Sequence, residues 1–124
     1  MALQQFAHVR FRLVDSITEL TPDDQGCLAI SGSHGGLSSA RYAAAARPLL
    51  SVFNDAGVGK ASAGVAGLAA MQEAGLAACA VSHASACIGQ ASSTYESGVV
   101  SFANSAALAL GVVVGMQLRA LVEG

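Results

Sequence analysis

This chain of 124 residues is short of charge: Asp, Glu, Lys and Arg make up 11% of it while 53% is apolar, against a usual charged share of about 25%. The six Lys and Arg are scattered and the formal net charge is −2. No basic face is offered to a phosphate backbone, so nucleic acid is not the expected partner. Long hydrophobic runs are missing too. Gly, Ser or His interrupts each apolar stretch well short of the roughly 20 residues a membrane span requires, so no membrane partner is expected despite a mean hydropathy of +0.55. Residues 1–13 place Arg10 and Arg12 after the first apolar residues, without the apolar core of a secretion signal, and a cytoplasmic location is expected. The three cysteines are odd in number and lack a CxxC pair, so neither a disulfide framework nor a zinc site follows, and no metal or cofactor is expected. Cys27 and Cys79 sit inside apolar runs as small core residues. A single domain of this size with so few charges either exposes an apolar patch or has it covered by a partner. A homo-oligomer is expected, most simply a two-fold dimer.

What is present is a repeated pattern. Three short apolar runs, residues 27–30, 49–53 and 76–81, each end in a polar turn that leads into an alanine-rich stretch. Continuous apolar runs of this length read as strands covered on both faces. Residues 9–14 alternate apolar and polar side chains, the period of a half-exposed edge strand. Thr21-Pro22-Asp23-Asp24 supplies a cap, a proline at the first helical position and acids in the first turn, enough for one helical turn before Gly26. Helices are expected at residues 37–47, stopped by Pro48, at 61–74, stopped by Gly75, and at 93–110, stopped by Gly111, with a terminal helix or tail over 116–123. Gly64 and Gly67 each cost the second helix about 1 kcal/mol relative to Ala, which predicts close packing against the sheet or a neighbouring subunit. The alternation gives one α/β domain: three layers, with a mostly parallel sheet of four to five strands and helices on both faces.

In such a sheet the turns after the parallel strands emerge at one end, where open α/β folds bind ligands. The first turn, Ser31-Gly32-Ser33-His34-Gly35-Gly36, combines hydroxyls, an imidazole and glycines. Its backbone is a candidate anion cradle and His34 a candidate acid or base. The alternative is a tight turn with Ser38 or Ser39 as helix cap. The second turn, residues 54–60, fails the phosphate-loop pattern, because Asn54 and Ala61 stand where Gly and Ser or Thr are needed. It still offers Asn54, Asp55 and Lys60: Asp55 to orient His34 or bind hydroxyls, Lys60 to meet an anion. Their structural alternative is a cap and a solvated helix start. The third turn brings Ser82, His83 and Ser85 beside Cys87, a conceivable thiol and imidazole pair or an inert packed thiol.

The pair of turns Ser31 to Gly35 and Phe53 to Gly57 resembles the His-Gly and Asp-Ala-Cys strand ends of caspase-like cysteine peptidases. Gly57 occupies the place of their nucleophile, so that resemblance implies architecture alone. The SGSHGG and FNDAGVGK segments together resemble small bacterial α/β proteins of unassigned function over most of the chain, which implies a fold and no particular activity. The expected function is binding of a small polar or anionic molecule at the strand C-terminal ends. Its catalytic form is a hydrolase or lyase with His34, Asp55 and His83 as catalytic residues. Ser31, Gly32, Ser33, Gly35, Gly36, Asn54, Lys60, Ser82 and Ser85 are the binding residues. The competing reading is a non-catalytic structural or assembly subunit, favoured by the absence of a complete triad.

Overall fold

The structure, a computed structural model, describes Phe6 and residues 8–123. Residues 1–5 and 7, part of the stretch read above for a secretion signal, lie outside the described residues. The apolar runs form strands because both their faces find cover. Five strands, β1 (Phe11–Val14), β2 (Leu28–His34), β3 (Leu50–Asn54), β4 (Ala77–Val81) and β5 (Val100–Ala103), lie side by side in chain order. The first three pairings are parallel, and β5 joins β4 antiparallel.

Because β2, β3 and β4 are neighbours in sequence order, right-handed crossovers lay both connecting helices, α1 (Leu37–Ala46) and α2 (Ala66–Glu73), on one face. There Phe53, Ala78 and Ala80 of the sheet meet Ala40 and Ala43 of α1 and Leu68 and Met71 of α2. On the opposite face Leu28, Ile30, Leu50, Val52, Cys79 and Val81 pack with Ala107, Leu118 and Leu121. Those partners belong to α4 (Ser105–Ala109), the following segment and α5 (Ala120–Glu123). On the same side α3 (Ala91–Ser97) crosses to β1 and β2. Asp15 accepts a hydrogen bond from Ala91 N at the start of α3, and Phe11 stacks on Tyr95 with ring centroids 6.0 Å apart. The result is the three-layer, mostly parallel α/β fold. Among the described residues no helix is long and apolar enough to cross a membrane.

Three boundaries differ from the sequence expectation. The helix expected over 93–110 is broken into α3, β5 and α4. A side chain at Gly98 would stand 2.3 Å from Thr94 O and 2.8 Å from Val81 Cγ1, so the chain turns there. Val100 to Ala103 then gain more from pairing along β4 than from helical propensity. The helix expected over 61–74 opens with a 3₁₀ segment, Lys60–Val65, before α2. Strand β2 continues past residue 30 through Ser31, Gly32, Ser33 and His34, so most of the first turn is sheet. Gly36 caps α1, in place of Ser38 or Ser39.

Gly67 earns its place by close approach. A Cβ there would lie 2.4 Å from Gly36 O and 2.8 Å from Gly35 O, and Gly67 N donates to Gly35 O at 2.8 Å. The close packing of this glycine is therefore made with the turn before α1, where the sheet or a neighbouring subunit was expected.

At the opposite edge a buried carboxylate ties β1 to the short helical turn Pro22–Asp24. Asp24 is 1% exposed and accepts hydrogen bonds from Arg12 at 2.8 Å, Arg10 at 3.0 Å and Thr21 N at 2.8 Å. Burial alone would raise its pKa, but the hydrogen bonds from Thr21, Arg12 and Arg10 outweigh that and hold it at about 2. A depressed carboxyl contributes stability that is complete above about pH 4, the ordinary Asp range, and is lost as pH falls through the folded value. Asp24→Asn is therefore expected to cost about 2 kcal/mol at neutral pH, with mutant and wild-type stabilities converging between about pH 4 and pH 2. Urea melts across that range measure it, and a difference that does not depend on pH would contradict the assignment.

Candidate functional site

The register of the parallel strands fixes where the three turns start. His34 pairs with Asn54, and Asn54 pairs with Val81, so β2, β3 and β4 end in one row. Residues 35, 55 and 82 leave the sheet beside one another. At this point β3 looks both ways: Asn54 O accepts from Gly35 N at 3.1 Å, while Asp55 N donates to Val81 O at 2.8 Å.

Asp55 is the centre of the arrangement. It is 5% exposed, and its carboxylate is surrounded by donors from three segments. Oδ1 accepts from Gly57 N at 2.8 Å and His83 N at 3.0 Å, and lies 3.3 Å from His83 Nδ1. Oδ2 accepts from Ser101 Oγ at 2.8 Å. Burial pushes the Asp55 pKa upward, and the hydrogen bonds from Ser101, Gly57 and His83 more than reverse it, leaving the group below its ordinary value. Asp55 is thus a carboxylate at neutral pH. A carboxylate can only accept, so in neutral His83 the proton is on Nδ1 and Nε2 is the nitrogen with a lone pair. The His83 side chain is 61% exposed. It lines a cavity of about 580 Å³ together with Asn54, Cys87, Ser93 and Ser97.

His34 stands at the end of β2 with the opposite tautomer. Its Nδ1 accepts from Gly36 N at 3.0 Å, and Ser39 Oγ lies 3.5 Å from the same nitrogen. A backbone N–H can only donate, so in neutral His34 the proton is on Nε2. His34 lines a second cavity of about 300 Å³, and Ala56 and Ile88 belong to the walls of both cavities. The sheet end therefore gathers His34, Asp55 and His83. Asp55 orients His83, in place of the His34 partner considered from the sequence.

Most of the remaining candidates hold the fold. Ser31 is fully buried and donates to Val52 O at 2.6 Å. Ser33 Oγ accepts from Ile17 N at 2.9 Å. Gly32 lies under the segment before α3: its carbonyl accepts from Gly89 N at 2.7 Å, and a Cβ would fall 2.3 Å from Gln90 N. The N–H groups of Gly35 and Gly36 are taken by Asn54 O and His34 Nδ1, so these two amides of the expected anion cradle face inward. Asn54 is fully buried, donating to Ala86 O and accepting from Ala56 N. Ser82 Oγ accepts from Ala84 N, while Ser85 Oγ donates to Ser82 O and accepts from Val99 N. Both shape the turn that carries His83. Lys60 is exposed at the start of its 3₁₀ segment.

The cysteines divide by burial. Cys79 is fully buried, which pushes its thiol up to about 12, and burial likewise raises Cys27. Both are inert packing groups. Cys87 is exposed on the wall of the larger cavity, its N–H donated to Ser93 Oγ at 2.9 Å. Among the described residues its sulfur makes no hydrogen bond with His83. No group of three or more His, Cys, Asp or Glu gathers as a metal site among the described residues.

Sequence reasoning did not find Ser101, the donor to Asp55 Oδ2, because it lay inside a stretch read as helix. Ser93 and Ser97 were read correctly as helical but not as site residues; they line the cavity from α3. No family model, no curated protein and no solved structure matches this chain.

Ser101 offers a direct check on the buried carboxylate. A lowered carboxyl stabilises the fold above its ordinary range, and that contribution is lost as pH falls through the folded value. Ser101→Ala removes one donor to Asp55, so the Asp55 titration should move upward and stability at neutral pH should fall by about 1 kcal/mol. The deficit should shrink in acid, where Asp55 is protonated in both proteins. Carboxyl carbon NMR titration and paired urea melts at neutral and acid pH test this. An unmoved Asp55 midpoint would dissociate Ser101 from the site.

Proposed function

We propose that this protein binds a small polar molecule at the C-terminal ends of its parallel strands, with His83 as the acid/base group and Asp55 as its orienting partner. One observation carries the reading: a buried carboxylate held by three other donors fixes His83 Nδ1–H, while the exposed ring borders a cavity of about 580 Å³. A carboxylate behind an imidazole sets the tautomer and stabilises the imidazolium formed when Nε2 takes a proton. The cavity is of ligand size, and its wall adds the hydroxyl-bearing Ser93 and Ser97 to the imidazole. A hydrolase or lyase reaction is the catalytic form of this reading, with the acid/base role on His83 in place of His34. Cys87 borders the same space as a contact residue.

A thermal-shift panel of small carboxylates, phosphomonoesters, amides and hydroxyketones tests it on wild type and on His83→Ala. His83→Ala also removes a donor to the buried Asp55, so the variant should lose about 1 kcal/mol, as Ser101→Ala does, and ligand shifts are compared against each protein's own unliganded melting temperature. At least one compound class should raise the wild-type melting temperature and leave His83→Ala unshifted. Equal ligand shifts in both proteins would remove His83 from the site.

A second reading concerns assembly. Nine large apolar side chains among the described residues are exposed, including Val113 at 59%, Leu37 at 56% and Val114 at 55%. With charge this sparse, a second copy of the chain is the cover we propose for part of that surface. Light scattering at micromolar concentration should then return a mass above the 12.3 kDa of one chain. A monomer at that concentration would overturn this reading and leave the His83 site untouched.

A further inference from the structure

We propose that His34 and His83 are two halves of one site, His34 donating a hydrogen bond to a carbonyl oxygen while His83 takes the proton from the adjacent carbon. The inference rests on the acid/base reading of His83 and adds the class of substrate: a small carbonyl compound with an acidic C–H beside the carbonyl.

Two observations support it. The first is the complementarity of the two rings. Gly36 N donates to His34 Nδ1, so neutral His34 presents Nε2–H, a donor without charge. Asp55 accepts from His83 Nδ1, so neutral His83 presents an Nε2 lone pair, an acceptor. Among the described residues neither Nε2 has a hydrogen-bond partner. Each tautomer is set locally, by Gly36 N–H at one ring and by Asp55 at the other, and the outcome is one donor and one acceptor at the same sheet end. A proton transfer next to a carbonyl needs both: a base at carbon, and a neutral donor at oxygen where negative charge develops.

The second is position. The cavities of His34 and His83 share Ala56 and Ile88, so the rings stand on either side of one wall. His34, Asn54 and Val81 lie in register across three adjacent strands, which puts the two flanking strand ends about 10 Å apart at two inter-strand spacings. In the proposed complex a small molecule lies over Ala56, the wall residue that the two cavities share, and spans the two rings. In the step itself His83 Nε2 takes the proton from carbon, and the C–H electron pair becomes the carbon–carbon double bond of the enolate. The former carbonyl oxygen carries the negative charge against His34 Nε2–H, while Asp55 balances the His83 imidazolium. The exposed His83 ring trades its proton with water, and return of a solvent proton from Nε2 to the carbon completes a hydrogen exchange at that carbon.

Acetohydroxamate, which mimics the enolate with an acceptor oxygen beside an N–H, is the probe, and acetate is the comparison. Ring-nitrogen NMR of the intact chain should first show His34 protonated on Nε2 and His83 on Nδ1. Acetohydroxamate should then move the ring signals of both histidines together, and bind more tightly than acetate. His34→Ala should weaken it by about fivefold, the worth of one neutral hydrogen bond. His34→Gln, which restores a side-chain N–H, should recover part of the loss. His34 protonated on Nδ1, equal binding of acetate, or movement of the His83 ring alone would overturn the two-ring site while leaving the acid/base reading of His83 standing. Movement of neither ring at tens of millimolar would overturn it as well. In that case the compound panel on His83→Ala decides separately whether the broader reading falls.

Discussion

The buried carboxylate of Asp55 is the constraint on which this end of the molecule depends. Removing a carboxylate from water costs several kcal/mol unless donors replace the lost solvent. Here the donors come from its own turn at Gly57, from the turn after β4 at His83, and from the antiparallel edge strand at Ser101. Each of those segments is positioned in part by the need to supply a hydrogen bond. The turn carrying His83 is therefore set from beneath by Asp55 and from the side by Ser85, which binds Val99 N just before β5. Strand β5, the one element running against the rest, brings Ser101 to the site.

How much of this was legible follows from where the information lies. The strands β2, β3 and β4 are visible because side chains on both faces are buried, which leaves uninterrupted apolar runs. The edge strand β1 is visible through its alternation. Strand β5 is hidden although Val99, Val100 and Phe102 favour a strand, because four residues between two short helices lie inside a longer stretch rich in Ala and Ser that reads as helix. The location of the site was legible from topology alone. The partner of Asp55 was not. Asp55 N–H points to Val81 on β4, whereas the carbonyl of Asn54 points to Gly35 on the β2 side. That one peptide ties the end of β3 to both neighbours, while the Asp55 carboxylate itself meets Gly57, His83 and Ser101, and no spacing in the sequence reveals that choice.

Ser31, Gly32 and Ser33 show why a polar, glycine-bearing segment is an unreliable mark of a loop. Each keeps a strand residue's place, with its polar group or its missing side chain used by a distant segment: Ser31 by β3, Gly32 by the approach to α3, Ser33 by the 3₁₀ turn at Ile17. The same small residues allow a sheet with little bulk to bring its covering layers close. Gly67 against Gly36 and Gly32 against Gln90 are backbone contacts that a single methyl group would prevent.

The loop between the two histidines carries the least comfortable backbone. Ala56 has φ of 53°, Val58 of 68° and Ser62 of 60°, a region that L residues with a Cβ enter at a cost of about 1–3 kcal/mol each. For Val58 the β-branch makes the cost higher than for most residues. Glycine or asparagine at these places would relax the chain, so the conformation persists because its surroundings impose it. Asn54 holds Ala56 N, Asp55 holds Gly57 N through its side chain and Val58 N through its carbonyl, and Val58 O receives Gly64 N at 2.6 Å. Gly64 in turn approaches Asp55 O so closely that a Cβ would stand 2.3 Å away. Strain of this kind tends to cluster at functional sites. Here Ala56 lies in the wall shared by the His34 and His83 cavities and Val58 in the wall of the His34 cavity, where the surrounding hydrogen bonds fix Ala56 and leave little freedom for the chain to close the space.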